Sequence, residues 1–146
     1  MNASEEVIRE IVTQVIKETM GGCCSEGFVK KKDPSGIIMV KTDTVKCERF
    51  EKDGVGLKDV LTLDEAPRMG AGVMELDHSD LEWTLTYDEY DLVLSGELEI
   101  IIDGRAVKGG PGDIIYIPKN SHIHFHTPSK VRYAYFVYPA NWSELC

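Results

Sequence analysis

The chain of 146 residues lacks the features that mark several large classes of protein. No apolar run approaches the roughly 20 residues that a membrane-spanning helix needs. The N-terminus has no basic segment followed by an apolar block, so we expect no secretory signal. The glycine-rich turn at 109–112 has no lysine directly after it, so it does not form a Gly-x-x-x-x-Gly-Lys-Ser/Thr loop. These absences argue against membrane proteins, secreted proteins and P-loop nucleotide-binding proteins.

Cysteine is scarce and poorly spaced for structural use. The chain has Cys23, Cys24, Cys47 and Cys146, and none of them forms a Cys-x-x-Cys pair. The pattern argues against a disulfide framework and against a zinc motif. We expect reduced thiols in a cytosolic protein, with a redox or cluster site at Cys23 and Cys24 as the alternative.

Positive charge is also in short supply. Sixteen lysines and arginines stand against 25 acidic residues, which gives a net charge of -9. An acidic surface repels nucleic acid and anionic membranes, so we expect neither as a partner. The basic run Lys30–Lys32 is short and predicts a solvated loop.

Residues 2–20 carry the pattern of an amphipathic helix. Its apolar residues recur at a spacing that forms one stripe, and they are Val7, Ile8, Ile11, Val12, Val15 and Ile16. Gly21 and Gly22 end the helix, and the residues up to 35 are typical of a linker. A short tethered helix is not stable alone, so it packs on its own domain or a dimer partner, or it docks on another protein. We assign residues 1–35 to this helix and its linker.

From Gly36 onward the apolar pattern changes to a period of two. Short apolar segments between Gly, Pro, Asp and Asn turns predict strands at 37–41, 60–63, 71–76, 81–94, 98–102, 114–117, 123–125 and 131–138. No long helical pattern interrupts them. The pattern predicts an all-β domain over residues 36–146, either an antiparallel sandwich or a closed barrel. Trp142 is expected to fold back on this barrel.

Two stretches, 83–104 and 112–126, resemble the two motifs of the cupin superfamily. We interpret the first as two strands joined by a tight turn at Ser95 and Gly96, with Glu89 and Gly96 matching the end of the first motif. Gly112 and Pro118 match the second motif, before a histidine-rich strand. The resemblance implies a double-stranded β-helix, a jelly-roll-like barrel. Many cupins bind Fe, Mn, Ni or Zn through two histidines and a glutamate of the first motif and one histidine of the second.

The histidines of that metal site are replaced here. Their positions hold Trp83, Leu85 and Ile123, so we expect no usual cupin transition metal. The neighbours of Ile123 on the same strand face the other side, because successive strand residues alternate between faces. His122, His124 and His126 therefore share one face, and they form either an outer cluster or an irregular metal site.

Glu89 is the centre of the expected interior face. If it points inward, so do Trp83, Leu85, Tyr87, Asp91 and Val93. The Cα atoms of residues 89 and 91 should lie about 7 Å apart, since each strand residue adds about 3.3 Å. Two buried acids this close raise the pKa of one of them, which suits acid–base chemistry, or they bind a divalent ion such as Mg²⁺. The structural alternative is an ion pair with Arg132 or Lys41.

Three segments, 83–96, 112–121 and 138–142, narrow the resemblance to the EutQ family of ethanolamine-utilisation cupins. The first combines the missing histidines with the extra acid. Asn120 stands where the family's turn has Gly, and Asn also tolerates a positive φ. The resemblance implies an acetate kinase that uses Mg-ATP. It also implies a place in a bacterial microcompartment, which gives the predicted N-terminal helix a docking role.

The resemblance and the interior face together define an expected site. Its catalytic residues are Glu89, Asp91 and Tyr87, and the two acids are the candidates for holding Mg²⁺. Its substrate-binding residues are Trp83, Tyr116, Lys41 and Arg132, with Lys119 as a further candidate for contacting phosphate.

We expect a homodimer that contacts microcompartment shell or enzyme partners through residues 4–19. The expected location is the bacterial cytoplasm, inside the compartment. Two other functions stay open. One is a non-catalytic small-molecule-binding or assembly protein, and the other is a metal-dependent cupin enzyme that uses His122, His124 or His126.

Overall fold

The computed structural model describes residues 27–145. The chain divides into two compact units, Met1–Lys46 and Cys47–Cys146. The helix predicted over residues 2–20 lies outside the described residues, as do Cys23, Cys24 and Cys146. Within the described range the regular structure is β-strand and short 3-10 turns, and none of it is a helix with the length and apolar character needed to cross a membrane.

In the first unit, the described residues form a small hairpin. Strand β1 (Lys30–Lys32) pairs antiparallel with β2 (Ile38–Val40), and a 3-10 turn follows at Thr42–Thr44. This corrects the prediction of a solvated loop at residues 30–32. Lys30 is only 2% exposed, and its ammonium lies 5.5 Å from the centre of the Phe28 ring, a contact that offsets part of the cost of burying it.

The second unit is built from antiparallel strands. They are β3 (Glu48–Phe50), β4 (Lys52–Asp59), β5 (Gly70–Asp77), β6 (Asp80–Thr84), β7 (Asp88–Gly96), β8 (Leu98–Ile102), β9 (Arg105–Gly109), β10 (Ile114–Ile117), β11 (His122–His126) and β12 (Lys130–Tyr138). A 3-10 turn at Trp142–Glu144 follows the last strand. The prediction of an all-β domain is confirmed.

The strands form two sheets with strand orders that differ from the chain order. One sheet has six strands in the order β10-β7-β12-β5-β4-β3, and the other has four in the order β6-β11-β8-β9. The chain therefore passes from one sheet to the other between β5 and β6, β6 and β7, and β7 and β8, whereas β3–β4, β4–β5 and β8–β9 pair as consecutive strands. This arrangement is typical of a jelly-roll barrel.

The apolar core lies between the two sheets. It joins Leu98 and Ile123 from the four-stranded sheet to Val93 and Tyr133 from the six-stranded sheet. Burial alternates along β7, where Glu89, like Val93, points inward, and along β11, where the histidines alternate with buried residues. Trp142 is 7% exposed and packs against this core, as predicted.

The stretch 83–104 was predicted as two strands, and the structure corrects this to parts of three. Trp83 belongs to β6 in the four-stranded sheet, whereas Glu89 belongs to β7 in the six-stranded sheet. The chain changes sheets at Leu85, whose backbone amide donates to Ser121 (2.9 Å) and whose carbonyl accepts from the Asn120 amide (2.7 Å). Asn120 has φ = 74°, so this Asn adopts the positive φ expected of the turn.

Candidate functional site

A cavity with about 300 Å³ of empty space, which includes open solvent at its mouth, lies in the second unit. Its lining is Phe50, Leu57, Met74, Leu81, Trp83, Tyr87, Glu89, Phe125, Tyr135, Val137 and Trp142. Glu89 is the only carboxylic acid in that set, which contains no lysine, arginine or histidine, so the cavity is an apolar, aromatic space with one carboxyl group.

Glu89 and Asp91 lie two residues apart on the inner face of β7. They are 4% and 0% exposed. Both oxygens of Asp91 and Oε2 of Glu89 are buried and accept no hydrogen bond from a separate donor within the described residues. The two carboxyl groups are close enough to hydrogen-bond to each other when one of them is protonated.

Burial controls the protonation of this pair. Removal from water raises the pKa of Glu89 well above its ordinary value, and the neighbouring Asp91 charge raises it further. Burial also raises the pKa of Asp91, although a hydrogen bond with Glu89 opposes that rise. A charge without a nearby cation is costly in this setting, so the pair retains a proton at pH values where exposed carboxyl groups are ionised.

Aromatic side chains form the walls around Glu89. The Trp83 indole donates to the Tyr87 hydroxyl at 2.8 Å, and the ring centres of Tyr87 and Trp142 are 5.7 Å apart. Phe50 lies 5.5 Å from Trp83 and 6.2 Å from Trp142 between ring centres. The steep angles between these rings leave both faces and edges available to a small molecule.

Two tyrosines of β12 lie near Glu89 and Asp91, and one of them, Tyr135, lines the cavity. The Tyr133 hydroxyl donates to the Met74 sulfur at 2.8 Å, and burial followed by the charges of Asp91 and Glu89 raises its pKa. The Tyr135 hydroxyl donates to Asp59, which also accepts from the Trp142 indole at 3.3 Å. Burial raises the pKa of Tyr135, so it acts as a neutral donor.

The structure brings four of the expected site residues together. Glu89, Trp83 and Tyr87 line the cavity, and Asp91 faces inward beside Glu89. Sequence reasoning missed Phe50, Leu57 and Met74 in the lining, and it missed Asp59, which accepts from the Tyr135 hydroxyl. They lie on β3, β4 and β5, outside the cupin motifs, and no local pattern marks them as partners of β7.

Tyr116 and Arg132, two of the expected substrate-binding residues, do not line the cavity. Tyr116 alternates with the inward Ile115 and Ile117, so it is 52% exposed on the outer face of the six-stranded sheet. Arg132 likewise alternates with Val131 and Tyr133.

Arg132 forms an ion pair with Glu75 on the adjacent strand β5. The ion pair of Arg132 with Glu89 or Asp91, which was the structural alternative, is therefore not formed. Lys41 belongs to the first unit, with an exposed side chain, and Lys119 is exposed in a turn where its amide donates to Asp88.

The three histidines of β11 point away from the cavity, as the alternation predicted. Each contacts its own carboxylate: His122 with Glu82 at 2.8 Å, His124 with Asp80 at 2.7 Å and His126 with Glu99 at 2.7 Å. Among residues 27–145, no group of three or more His, Cys, Asp or Glu side chains is arranged to hold a metal ion.

Comparison with known proteins places this architecture among relatives. The family model described as "Ethanolamine utilisation protein EutQ" matches residues 3–144. A Clostridioides difficile protein named "Acetate kinase EutQ" is 42% identical over 98% of this chain and 96% of its own length. A Salmonella typhimurium protein of the same name is 35% identical over 97% of this chain, which spans only 65% of that relative.

Solved structures agree with the fold. The structure of the Clostridium difficile EutQ protein has a TM-score of 0.78 and 44% identity, and the match covers 82% of this chain and 93% of that one. The Cupin_2 domain of an XRE family transcriptional regulator from Enterobacter cloacae has a TM-score of 0.52 at 20% identity, over 59% of this chain and 97% of that one. The second likeness supports the cupin fold alone.

Proposed function

The chain belongs to the EutQ family of ethanolamine utilisation proteins, and from this premise we propose that it is an acetate kinase that transfers a phosphoryl group between ATP and acetate. The observation that carries the proposal is the similarity to the Clostridioides difficile relative named for that activity, which extends over 98% of this chain and 96% of the relative. The cavity at Glu89 and Asp91 is the proposed site.

The cavity supplies part of what acetate phosphorylation needs. Its apolar walls suit the methyl group of acetate and exclude water from a reacting phosphoryl group. A protonated member of the Glu89–Asp91 pair can donate a hydrogen bond to an acetate oxygen, whereas a fully ionised pair would repel it. Tyr87 and Trp83, already linked to each other, hold the wall on which the substrate would rest.

Magnesium matches this pair in ligand type alone, because its water ligands would face aliphatic and aromatic side chains. Carboxylate oxygens are ligands that Mg²⁺ prefers, and the buried oxygens of Glu89 and Asp91 are the ones that would hold it. When bound, the ion would neutralise charge on the transferred phosphoryl group.

The phosphates of ATP fit the cavity less well. No lysine or arginine lines it, and Arg132 is engaged by Glu75 elsewhere. This observation favours a second function, a non-catalytic protein of the same pathway that binds a small molecule in the cavity.

Acetyl phosphate formation separates the two functions. The purified full chain, given ATP, Mg²⁺ and acetate, should form acetyl phosphate, which hydroxylamine trapping measures. Glu89→Gln and Asp91→Asn should lower kcat/KM by at least about 100-fold, the lower range for loss of a positioned acid–base group. Asp64→Asn changes an exposed acid and serves as the matched control.

An inactive wild-type chain would favour the non-catalytic function. Full activity in both site variants, with a folded circular dichroism spectrum, would place the reaction elsewhere on the protein.

We also propose that the protein works inside a bacterial microcompartment as a homodimer. Residues 4–19, which lie outside the described residues, are the proposed docking segment for shell or enzyme partners. Support comes from their amphipathic sequence and from the family's role in ethanolamine utilisation.

A further inference from the structure

The cavity has a charge arrangement that an acetate-binding role does not explain. Glu89 lines it, Asp91 is buried beside Glu89, both are at least nine-tenths buried, and no lysine, arginine or histidine belongs to the lining. Three of their four oxygens are buried and lack a separate donor within residues 27–145. Carboxyl groups in protein interiors are normally paired or fully hydrogen-bonded, so this pair is set up for a partner that the chain does not supply.

The walls of the cavity indicate the sign of the charge on that partner. Five aromatic rings that line the cavity stand close together, with centre-to-centre distances of 5.5 to 6.4 Å to at least one neighbour; they belong to Phe50, Trp83, Tyr87, Tyr135 and Trp142. Ring faces attract cations within about 6 Å of the centroid, and grouped rings recognise ammonium groups. The ring faces do not attract an anion, and the two acids would repel it once both are ionised.

We propose that this cavity binds a small primary ammonium ion, with its nitrogen directed at Glu89 and Asp91 and its short carbon chain held between the aromatic rings. A primary ammonium group has three N–H donors, so it can satisfy several carboxyl oxygens of the pair at once. Ethanolamine, the compound in the family's description, belongs to this chemical class.

Other cations match the cavity less closely. A quaternary ammonium ion offers no N–H donor to the orphaned oxygens. Mg²⁺ keeps several water ligands, which need polar neighbours, whereas the lining beyond Glu89 consists of aliphatic and aromatic side chains with few polar atoms.

Binding of the ammonium ion displaces the proton that the pair retains. Burial raises the pKa of Tyr133 and of Tyr135 on β12, so these two tyrosines keep their protons; the Tyr87 hydroxyl accepts from the Trp83 indole. One proton therefore leaves the carboxyl pair for solvent as one ammonium ion enters. The inference goes beyond acetate kinase activity and does not depend on it.

Tryptophan fluorescence provides a direct test. Both tryptophans of the chain, Trp83 and Trp142, line the cavity, so the emission of the full-length protein reports its occupancy. Ethanolamine hydrochloride should change the emission saturably, and tetramethylammonium chloride, sodium acetate and magnesium chloride at equal ionic strength should change it at least tenfold more weakly. Calorimetry in two buffers of different ionisation enthalpy should show proton release.

Two variants test whether Glu89 and Asp91 form the ethanolamine-binding site. Glu89→Gln and Asp91→Asn should each weaken ethanolamine binding at least tenfold and abolish the proton release. Glu82→Gln, the same change at an exposed position, should bind like the wild type. Circular dichroism checks the fold of each variant. If a variant does not fold, the titration of the wild-type protein with ethanolamine still tests the proposal.

The outcomes are separable from those of the kinase assay. Saturable ethanolamine binding by a chain that forms no acetyl phosphate would support this inference and reject the kinase. A chain that forms acetyl phosphate but gives no saturable response to ethanolamine would overturn the ammonium-binding inference. Tighter binding of acetate or Mg²⁺ than of ethanolamine would overturn it as well, and so would unchanged ethanolamine binding in Glu89→Gln.

Discussion

At the scale of single residues, Asp91 has the most unusual surroundings. It is fully buried, neither of its oxygens has a separate donor in the described part of the chain, and burial raises its pKa. An unfolded Asp91 has an ordinary pKa near 3.8. The folded protein therefore binds more protons than the unfolded chain as the pH rises above about 4, so its stability falls with rising pH in that window.

Asp91→Asn should remove much of this pH dependence. The asparagine amide can donate to Glu89 without carrying a charge, so Glu89 loses a like-charged neighbour. The wild-type free energy of unfolding should fall between pH 5 and pH 8 with a slope of up to about 1.4 kcal/mol per pH unit for each proton retained. The variant should fall less steeply over the same range.

Urea unfolding at pH 5 and pH 8 measures the difference. Asp64→Asn, at an exposed position, should keep the wild-type slope. Parallel pH profiles for the wild type and Asp91→Asn would show that Asp91 is ionised in the folded protein and would contradict the buried, proton-sharing pair.

At the scale of elements, the cavity depends on how closely β5 and β12 approach. Gly72 on β5 pairs with Tyr135 on β12 and with Asp59 on β4. A Cβ atom at Gly72 would lie 2.0 Å from the Tyr135 hydroxyl oxygen and 2.6 Å from the Lys58 carbonyl oxygen. The bare glycine is what lets the Tyr135 ring cross β5 and donate to Asp59.

Gly72→Ala should disturb both the sheet and the cavity wall. The added methyl group meets a rigid ring and a backbone carbonyl, so we expect a loss of about 1–3 kcal/mol of unfolding free energy, as for overpacked interiors. Tyr135 should leave Asp59, and the emission of Trp142 should shift because Trp142 donates to the same carboxylate.

Urea unfolding and fluorescence spectra test this prediction. Gly110→Ala is a suitable control, because its Cβ would meet its nearest neighbour, Asp113, at 3.9 Å. Equal stability of Gly72→Ala and Gly110→Ala would mean that β5 and β12 separate without cost.

At the scale of the whole molecule, the outer face of the six-stranded sheet carries exposed apolar side chains. Tyr116, Tyr90 and Phe136 form a row across β10, β7 and β12, and Ile114 lies beside them on β10. Patches of this kind on a sheet are common at protein interfaces. This face is where we place the contact in the proposed homodimer.

Removing residues 1–20 should separate assembly from targeting. The truncated chain should keep the dimer mass of the full chain in analytical ultracentrifugation, because Tyr116 and Phe136 lie outside the deleted segment. It should lose co-purification with microcompartments in cells, because the deletion removes the docking segment.

The counterpart is Phe136→Glu in the full chain. This variant should no longer dimerise but should still co-purify with microcompartments. A monomeric full chain would contradict the homodimer, and a truncated chain that still reaches the compartment would contradict the docking role of residues 4–19.

The sequence by itself determined the all-β class and the interior face of β7. It did not determine every strand, since residues 60–63 are not a strand and β3, β4 and β9 were not predicted. Period-two alternation places Glu89, Asp91 and Val93 on one side because strand geometry is local, and the same rule sends the histidines of β11 outward. The replacement of the metal-binding histidines by Trp83, Leu85 and Ile123 could also be counted along the chain. These conclusions needed only spacing and residue type.

Only the tertiary structure decided what surrounds the two acids. Phe50, Leu57 and Met74 reach the cavity from strands far from β7 in sequence, and no local pattern encodes which strands become neighbours. The same packing turned Tyr116 and Arg132 away and left Glu89 and Asp91 without a cation in the cavity lining. Non-local strand order sets the charge balance of a buried site, and a single sequence does not specify that order residue by residue.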